Sequence, residues 1–414
     1  MKVLLYNPPV EYYSGFHYPC LPPLGLAIIS RVLNNAGHNC EVYDFAAMGV
    51  TPDKITDPQV DVIGFTCPTI SVQGTKDCIA QLRKVGYKGR IVVGGIHATL
   101  YPEQMLEIGA DLVVTGECEG NIVSLLESGA TGVHAGVKLD IDDIPMPDWD
   151  NYFPAITSYD GQYKILQPRA GVSMWTRGCP YRCIYCANLI FNGQPTRYRS
   201  PANIEAEMRY LKSKGIDHVY VYDDELIGTE LPEGWMKEVA DKIQSLNITW
   251  IAQARCSKTH VTLEVLKDMH RAGCRMILWG VESFSSSVLK NIRKGIDSED
   301  IFYSLDMAKQ AGIENSLFVM VGNYTETSED MAITEAELKS AYQKHLVDHM
   351  QVFLTEIMPG TELERVAIED GYYKPAVNGR ITLKQAKNGT PWASAATIRK
   401  WQSAYKSACP VGKP

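Results

Sequence analysis

Eleven short β-rich runs, separated by helical or turn sequence, constrain this chain more than any other feature. Five come early: Lys2–Tyr6, Glu41–Phe45, Val60–Thr66, Arg90–Val93 and Leu112–Thr115. Six follow a break: Gly171–Trp175, His218–Tyr222, Thr249–Ala254, Arg275–Val281, Ser316–Val321 and Met350–Glu356. Apolar strands that alternate with helices have both faces to cover, which implies an α/β fold with parallel sheets flanked by helices. The first series predicts a doubly wound, Rossmann-like domain over residues 1–138. The second predicts six β/α units over 171–365, a partial (β/α)6 barrel of the TIM type, with its chemistry at the C-terminal strand ends. Helices are expected at Leu26–Ala36, with Gly37 closing it, and near 202–214, 234–246, 262–272, 298–311 and 328–343. Between the series, residues 139–170 include IDDIPMPDWDNYFP, rich in proline and aspartate, and are expected to be a linker. Residues 366–414 form a C-terminal basic extension.

At 414 residues the chain exceeds one ordinary core. Its 45% hydrophobic and 21% charged content is that of a globular protein. A net charge of −8 argues against nucleic acid as the main partner. The opening MKVLLYNPP carries too short an apolar run for a secretory signal, and no stretch approaches a membrane span, so a cytoplasmic location without membrane association is expected. Eleven cysteines in such a chain suggest metal ligation before disulfides.

Three of them are clustered. The strand ending at Trp175 leads into Thr-Arg-Gly-Cys179-Pro-Tyr-Arg-Cys183-Ile-Tyr-Cys186. Thiolates are the usual ligands of iron–sulfur clusters. Three of them around a four-iron cube would leave one iron open to an exogenous chelator. A zinc site would want a fourth Cys or His nearby; none lies between Cys186 and the next helix, though spacing alone leaves zinc open.

This C-x3-C-x2-C after a first barrel strand resembles the signature of the radical S-adenosylmethionine (AdoMet) superfamily, and the resemblance covers roughly 171–365. It implies a [4Fe–4S] cluster on Cys179, Cys183 and Cys186, with AdoMet chelating the fourth iron and cleaved to a 5′-deoxyadenosyl radical. It also implies AdoMet contacts at successive strand ends. Asp224, in Tyr222-Asp223-Asp224-Glu225, stands where the family meets the amino group. Arg255 stands near the carboxylate. Glu282 and Ser283 resemble the ribose-contacting Glu-Ser. Gly322 through Glu326-Thr327 is similar to the adenine side, without the family's usual proline there. Met358-Pro-Gly-Thr-Glu362 also resembles the family. Trp175 and Trp279 are expected in the barrel core.

The first domain resembles the cobalamin-binding domain of the same enzyme group. That group's Asp-x-His-x-x-Gly, Ser-x-Leu and Gly-Gly correspond to Cys20-Leu-Pro22-Pro-Leu-Gly25, Thr66-Cys67-Pro68 and Gly94-Gly95, at separations of 41 and 28 positions. The resemblance implies cobalamin contacts at Thr66, Thr69, Gly94 and Gly95. Pro22 replaces the cobalt-ligating histidine and has no lone pair for cobalt, so cobalamin is expected without a protein imidazole. The loop Cys67–Gln73 is expected to face the lower side of the cobalt, and His97 to be packed near the nucleotide tail or exposed.

Jointly the resemblances imply a class B methyltransferase, in which methylcobalamin gives its methyl to an unactivated substrate carbon after the deoxyadenosyl radical has removed a hydrogen. A cobalamin-dependent radical cyclase or ring-modifying enzyme without methyl transfer uses the same cofactors. A non-catalytic cobalamin module would not need the AdoMet motifs. The partners implied are a small-molecule or peptide substrate and a reductant such as flavodoxin or ferredoxin. The last 44 residues hold eight Lys and Arg and no acid. They read as a packed terminal helix with a solvated basic face, or as a contact surface for an anionic partner.

Overall fold

The computed structural model describes residues 1–10, 21–49, 59–151, 166, 169–373 and 389–411. The chain divides into two compact units, with Leu166 in the second; the last boundary, between Val172 and Ser173, falls within the first strand of the second sheet, which is described with that sheet.

The first unit is built on six parallel strands: β1 (Lys2–Asn7), β2 (Asn39–Asp44), β3 (Val62–Thr66), β4 (Arg90–Gly94), β5 (Leu112–Thr115) and β6 (Gly132–Ala135). Their spatial order is β2-β1-β3-β4-β5-β6, paired in parallel throughout. The direction of winding reverses between β1 and β3, which opens a crevice beyond their C-terminal ends. Central strands such as β1 are buried on both faces and read as continuous apolar runs. β6 alternates half-buried and exposed residues, which fits an edge. Its GVHA has too little β character to be recognised from sequence.

The stretch after β6 is not free chain. Ile141 and Ile144 pack on Leu24 and Ile28 of helix Leu24–Asn35. The Asp148 carboxylate is buried, accepts from Ser30 Oγ (3.2 Å), Asn34 Nδ2 (3.0 Å) and Asn151 Nδ2 (2.9 Å), and pairs with Arg31 (3.2 Å). The expected linker 139–170 is therefore corrected over its described part: residues 139–151 form a strap on the first unit. The aspartate that looked like linker polarity anchors it by satisfying a buried cluster of donors.

The second unit carries six parallel strands: β7 (Ala170–Ser173), then, after a two-residue ribbon of β8 (Thr176–Arg177) and β9 (Arg197–Tyr198), β10 (His218–Val221), β11 (Thr249–Ala254), β12 (Cys274–Glu282), β13 (Glu314–Val321) and β14 (His349–Leu354). They lie in sequence order from β7 to β14, as in an open (β/α)6 barrel. Helices Pro201–Ser213, Trp235–Ile243, Leu263–Arg271, Ser298–Gln310 and Ser328–Gln343 intervene as expected. Trp175 packs on Trp250 with ring centroids 4.7 Å apart, and Trp279 donates to Asn315 Oδ1 at 2.7 Å. Both expected core tryptophans are fully buried. The terminal helix Ala395–Ala408 buries Ile398, Tyr405 and Ala408 against β13, β14 and helix Ser328–Gln343, and leaves Arg399, Lys400 and Lys406 exposed. Lys374, Arg380, Lys384, Lys387 and Lys413 lie outside the described residues. Among the described residues no helix is long and apolar enough to cross a membrane.

Candidate active site

The cysteine loop is an excursion between β8 and β9, at the C-terminal end of the first barrel strand. It turns at Gly178, φ +94°, where a Cβ would lie 2.7 Å from the Pro195 carbonyl oxygen and 2.9 Å from that of Gly193; only glycine fits. The loop is closed on itself by Cys179 N to Gly193 O (3.2 Å), and it is tied to the barrel by Ile184 N to Ile292 O (3.0 Å) and Leu363 N to Ile184 O (2.7 Å). Burial pushes the Cys179 thiol up to about 12 and raises that of Cys186. Such thiols become thiolates when a positive metal centre offsets the desolvation, so the donor set fits a cluster bound by three cysteines. Among the described residues no three His, Cys, Asp or Glu side chains converge as ligands of one ion. A cube draws one thiolate per iron and does not require that convergence.

Beneath the loop, the acidic run after β10 separates into three roles. Asp223 accepts from Trp175 N (2.7 Å) and Thr176 Oγ1 (3.0 Å), and burial pushes its carboxyl up to about 7. It fastens the first strand to the second. Glu225 is buried, accepts from Ile227 N (3.1 Å) and from Gly228 N, and is raised by burial; it closes a turn. Asp224 alone is exposed, with Asn192 Nδ2 donating to it at 2.6 Å. Of the three, only Asp224 is left exposed at this strand end to meet a ligand.

Arg255, at the end of β11, is 4% exposed. Its guanidinium lies 3.7 Å from the Tyr181 ring centroid, and Nη1 stands 3.9 Å from Cys183 Sγ. Nη2 is buried with no partner among the described residues. A buried guanidinium donor left open beside a cluster cysteine is costly unless an anion completes it, and an AdoMet carboxylate fits that demand. Glu282 ends β12 in the left-handed region at φ +63°. Its Oε1 accepts from Tyr185 Oη (3.0 Å) and Lys294 Nζ (2.9 Å). Lys294 was not singled out by the sequence. It lies on a turn after helix Ser286–Asn291, outside every motif; the glycine that follows it is the one local sign of a close approach. Burial alone would lower its ammonium, but Glu282 and Cys183 outweigh burial and hold it above its ordinary value.

Two expected contacts turn away from this centre. Ser283 is fully buried; its hydroxyl pairs with Thr334 Oγ1 (2.9 Å) and accepts from Ser285 N (3.1 Å). It braces the turn after β12, and as a direct ribose contact it is corrected. Glu326 accepts from Gly322 N (2.6 Å) and Asn323 N (2.9 Å), and burial pushes its carboxyl up to about 7. Its contribution is the shape of the 322–326 turn, not a carboxylate offered to adenine. Thr327 caps helix Ser328–Gln343 in a capping box with Asp330. Tyr324, near the place of the family's proline, donates to Asp370 (3.0 Å) and packs on Trp392.

In the first unit, Gly95 begins its turn at φ +100°, and a Cβ there would meet Cys67 N at 3.0 Å and Thr66 Oγ1 at 3.2 Å. Cys67 N donates to Gly94 O (2.8 Å), and His97 N to Cys67 O (3.0 Å). The β3 and β4 loops are thus laced together by backbone, and they place Thr66, Thr69, Gly94 and Gly95 on neighbouring strand ends beside the switch point. His97 is fully buried, with Nδ1 3.3 Å from Thr69 Oγ1 and Nε2 2.8 Å from Gln104 Oε1. Burial lowers its pKa, so it is a neutral, engaged ring. Pro22 is buried, one residue before Pro23, which caps helix Leu24–Asn35; Cys20 lies outside the described residues. These glycine-lined strand ends fit the tail of a large planar cofactor, and neither Pro22 nor the engaged His97 offers cobalt a free nitrogen.

Comparison with known proteins now decides the family. Residues 17–126 match the B12 binding domain, and residues 173–337 match the Radical SAM superfamily. The chain belongs to the cobalamin-binding radical SAM enzymes. Its cofactors are therefore a [4Fe–4S] cluster, AdoMet and cobalamin. An uncharacterised methyltransferase of Pyrococcus horikoshii is 27% identical over 89% of this chain and 83% of its own length. An anaerobic magnesium-protoporphyrin IX monomethyl ester cyclase of Synechocystis is also 27% identical, over 71% of this chain and 64% of its own. The radical AdoMet methyltransferase TsrM of Kitasatospora setae, solved with tryptophan and an AdoMet analogue, superposes with a TM-score of 0.69 at 19% identity, over 92% of this chain and 79% of its own. That last likeness concerns the fold.

Proposed function

We propose that this cobalamin-dependent radical SAM enzyme transfers a methyl group to an unactivated carbon of a small-molecule or peptide substrate. When bound, the cluster and AdoMet supply a deoxyadenosyl radical to remove a substrate hydrogen, and cobalamin supplies the methyl group. The observation that carries the reading is the pairing of a complete cysteine–arginine–glutamate site in one unit with a strand-end site in the other, where the described histidine beside it, His97, is already engaged by Thr69 and Gln104. Relatives named as methyltransferases support it.

In this reading Cys179, Cys183 and Cys186 hold the cluster. Asp224 accepts from the AdoMet amino group, and Arg255 Nη2 donates to its carboxylate. Glu282 accepts from the ribose hydroxyls, and Glu326 holds the Gly322–Asn323 backbone in the shape that meets adenine. Thr66, Thr69, Gly94 and Gly95 line the cobalamin tail. The enzyme works in the cytoplasm with a one-electron donor such as flavodoxin or ferredoxin; the described cysteines, none of them in a disulfide, support that setting.

Incubation with methyl-labelled AdoMet, substrate and reductant tests the reading. Labelled product, with 5′-deoxyadenosine and S-adenosylhomocysteine in equal amounts, is expected. Substrate conversion with 5′-deoxyadenosine but no label in the product would replace it with the cyclase reading, which the Synechocystis relative favours. Label in the product without stoichiometric 5′-deoxyadenosine would remove the radical step.

A further inference from the structure

The turn Ile292–Gly295 is built against the cysteine loop and the end of β12, although no motif marks it. Ile292 O receives Ile184 N at 3.0 Å, between Cys183 and Cys186. Lys294, 7% exposed, reaches Glu282 Oε1 at 2.9 Å and Tyr185 Oη at 3.2 Å. Two glycines clear the way. A Cβ at Gly280 would lie 2.8 Å from Lys294 Nζ and 3.1 Å from Glu282 Oε1, and one at Gly295 would lie 3.0 Å from Arg255 Nη2. Both donors fall on a single oxygen of Glu282; among the described residues none is recorded on Oε2. Glu282 itself is held at φ +63°, a conformation that a non-glycine residue keeps only when its surroundings fix it.

We propose that Lys294 and Tyr185 are positioning residues. They pin Glu282 by one carboxylate oxygen so that the other is presented, fixed in direction, to the ribose diol of AdoMet. Lys294 makes no contact with the ligand; its ammonium pairs with Glu282 Oε1 and its reach sets the rotamer. A carboxylate fixed before binding loses less freedom when it accepts two hydroxyls. The inference rests on the reading of Glu282 as the ribose-side acceptor.

The test is equilibrium dialysis of cluster-reconstituted full-length protein against AdoMet and against its 2′,3′-dideoxy analogue. Wild-type protein should hold AdoMet more tightly than the analogue. In Lys294→Met the AdoMet dissociation constant should rise about tenfold and that of the analogue should stay unchanged, with iron content and the reduced-cluster EPR signal preserved. Lys294→Arg should recover most of the affinity. Tyr185→Phe, which removes one hydrogen bond and no charge, should cost about threefold for AdoMet alone. If Lys294→Met does not load a cluster, Tyr185→Phe and Gly280→Ala decide by the same comparison. Equal losses for both ligands would overturn the positioning role, because the lysine would then act on the carboxylate end or on the fold. An unchanged AdoMet constant would overturn it as well. A wild-type protein indifferent to the ribose hydroxyls would overturn the Glu282 assignment beneath it, and it would leave the labelled-methyl result untouched.

Discussion

The two cofactor sites are built by opposite means. In the barrel unit the site is a set of charged and nucleophilic side chains forced under cover: Cys179, Cys183, Arg255, Glu282 and Lys294, each buried or half-buried and each needing its neighbours. In the first unit the site is main chain, with Gly95 turned at φ +100° against the Cys67 amide and one engaged histidine behind it. A small, charged ligand is gripped by a few strong, directional partners. A large, mostly neutral one is accommodated by removing side chains from the backbone's path. The first kind of site should fail abruptly when one group is lost, the second gradually when one atom is added.

The largest expected effect is on the side-chain site. Cys179→Ala, Cys183→Ala or Cys186→Ala should abolish the iron–sulfur absorbance and 5′-deoxyadenosine formation, while Cys40→Ala, Cys78→Ala, Cys274→Ala and Cys409→Ala leave the cluster spectrum unchanged. Iron analysis and anaerobic turnover measure both. On the backbone site, Gly95→Ala should weaken cobalamin binding about tenfold to a hundredfold. The glycine-only conformation there and the contact with Cys67 correspond to roughly 1–3 kcal/mol. If Gly95→Ala bound cobalamin as tightly as wild type, the contrast between the sites would collapse.

Smaller still is the effect of His97. Cob(II)alamin on the wild-type protein should show no axial-nitrogen splitting in its EPR spectrum, and His97→Ala should leave that spectrum unchanged while lowering Tm by loosening the Thr69 turn. Splitting that vanished in the variant would make His97 a ligand and give the first unit a side-chain site after all.

The smallest effect is a pH dependence at Glu326. Its folded carboxyl sits near 7, against 4.5 for the ordinary group. The folded state therefore binds the proton more tightly, and folding stability falls as pH rises from about 4.5 to 7, then levels off. Glu326→Gln should remove that slope, raising Tm at pH 8 and leaving it nearly unchanged at pH 4.5. A slope that persists in the variant would move the cause to Asp223, which is also pushed up to about 7.

The same contrast explains what could be read in the sequence. All six barrel strands and their order were legible because apolar runs of that length and spacing have few other folds. Clustering singled out Cys179, Cys183 and Cys186, while the choice of iron–sulfur over zinc came from the family resemblance. Gly94 and Gly95 came from the resemblance to the cobalamin domain's Gly-Gly, and Gly95 takes the positive φ, +100°, that favours glycine there. Ser283 and Glu326 were placed in the right loops, but which way a side chain turns depends on tertiary partners, here Thr334 and the Gly322 amide. Lys294 stayed hidden for the same reason. A lysine on a turn looks solvated until the fold brings Glu282 within 2.9 Å. The strap was misjudged because Asp148 has the composition of a loop and the environment of a core.

One element has a consequence in time. β14 is the last strand of an open sheet, and the helix packed over it, Ala395–Ala408, comes about forty residues later. Gln402 Nε2 donates to the Val352 carbonyl at 3.4 Å, occupying one of the groups that an uncovered edge would expose. At a synthesis rate of roughly 5–20 residues per second, the strand emerges several seconds before its cover. During that interval a nascent chain carries a sticky border that a neighbour on the same messenger can pair with. Chains ended before Ala395 would keep that border for good, and they should collect in inclusion bodies even though every cofactor ligand named above is already in place.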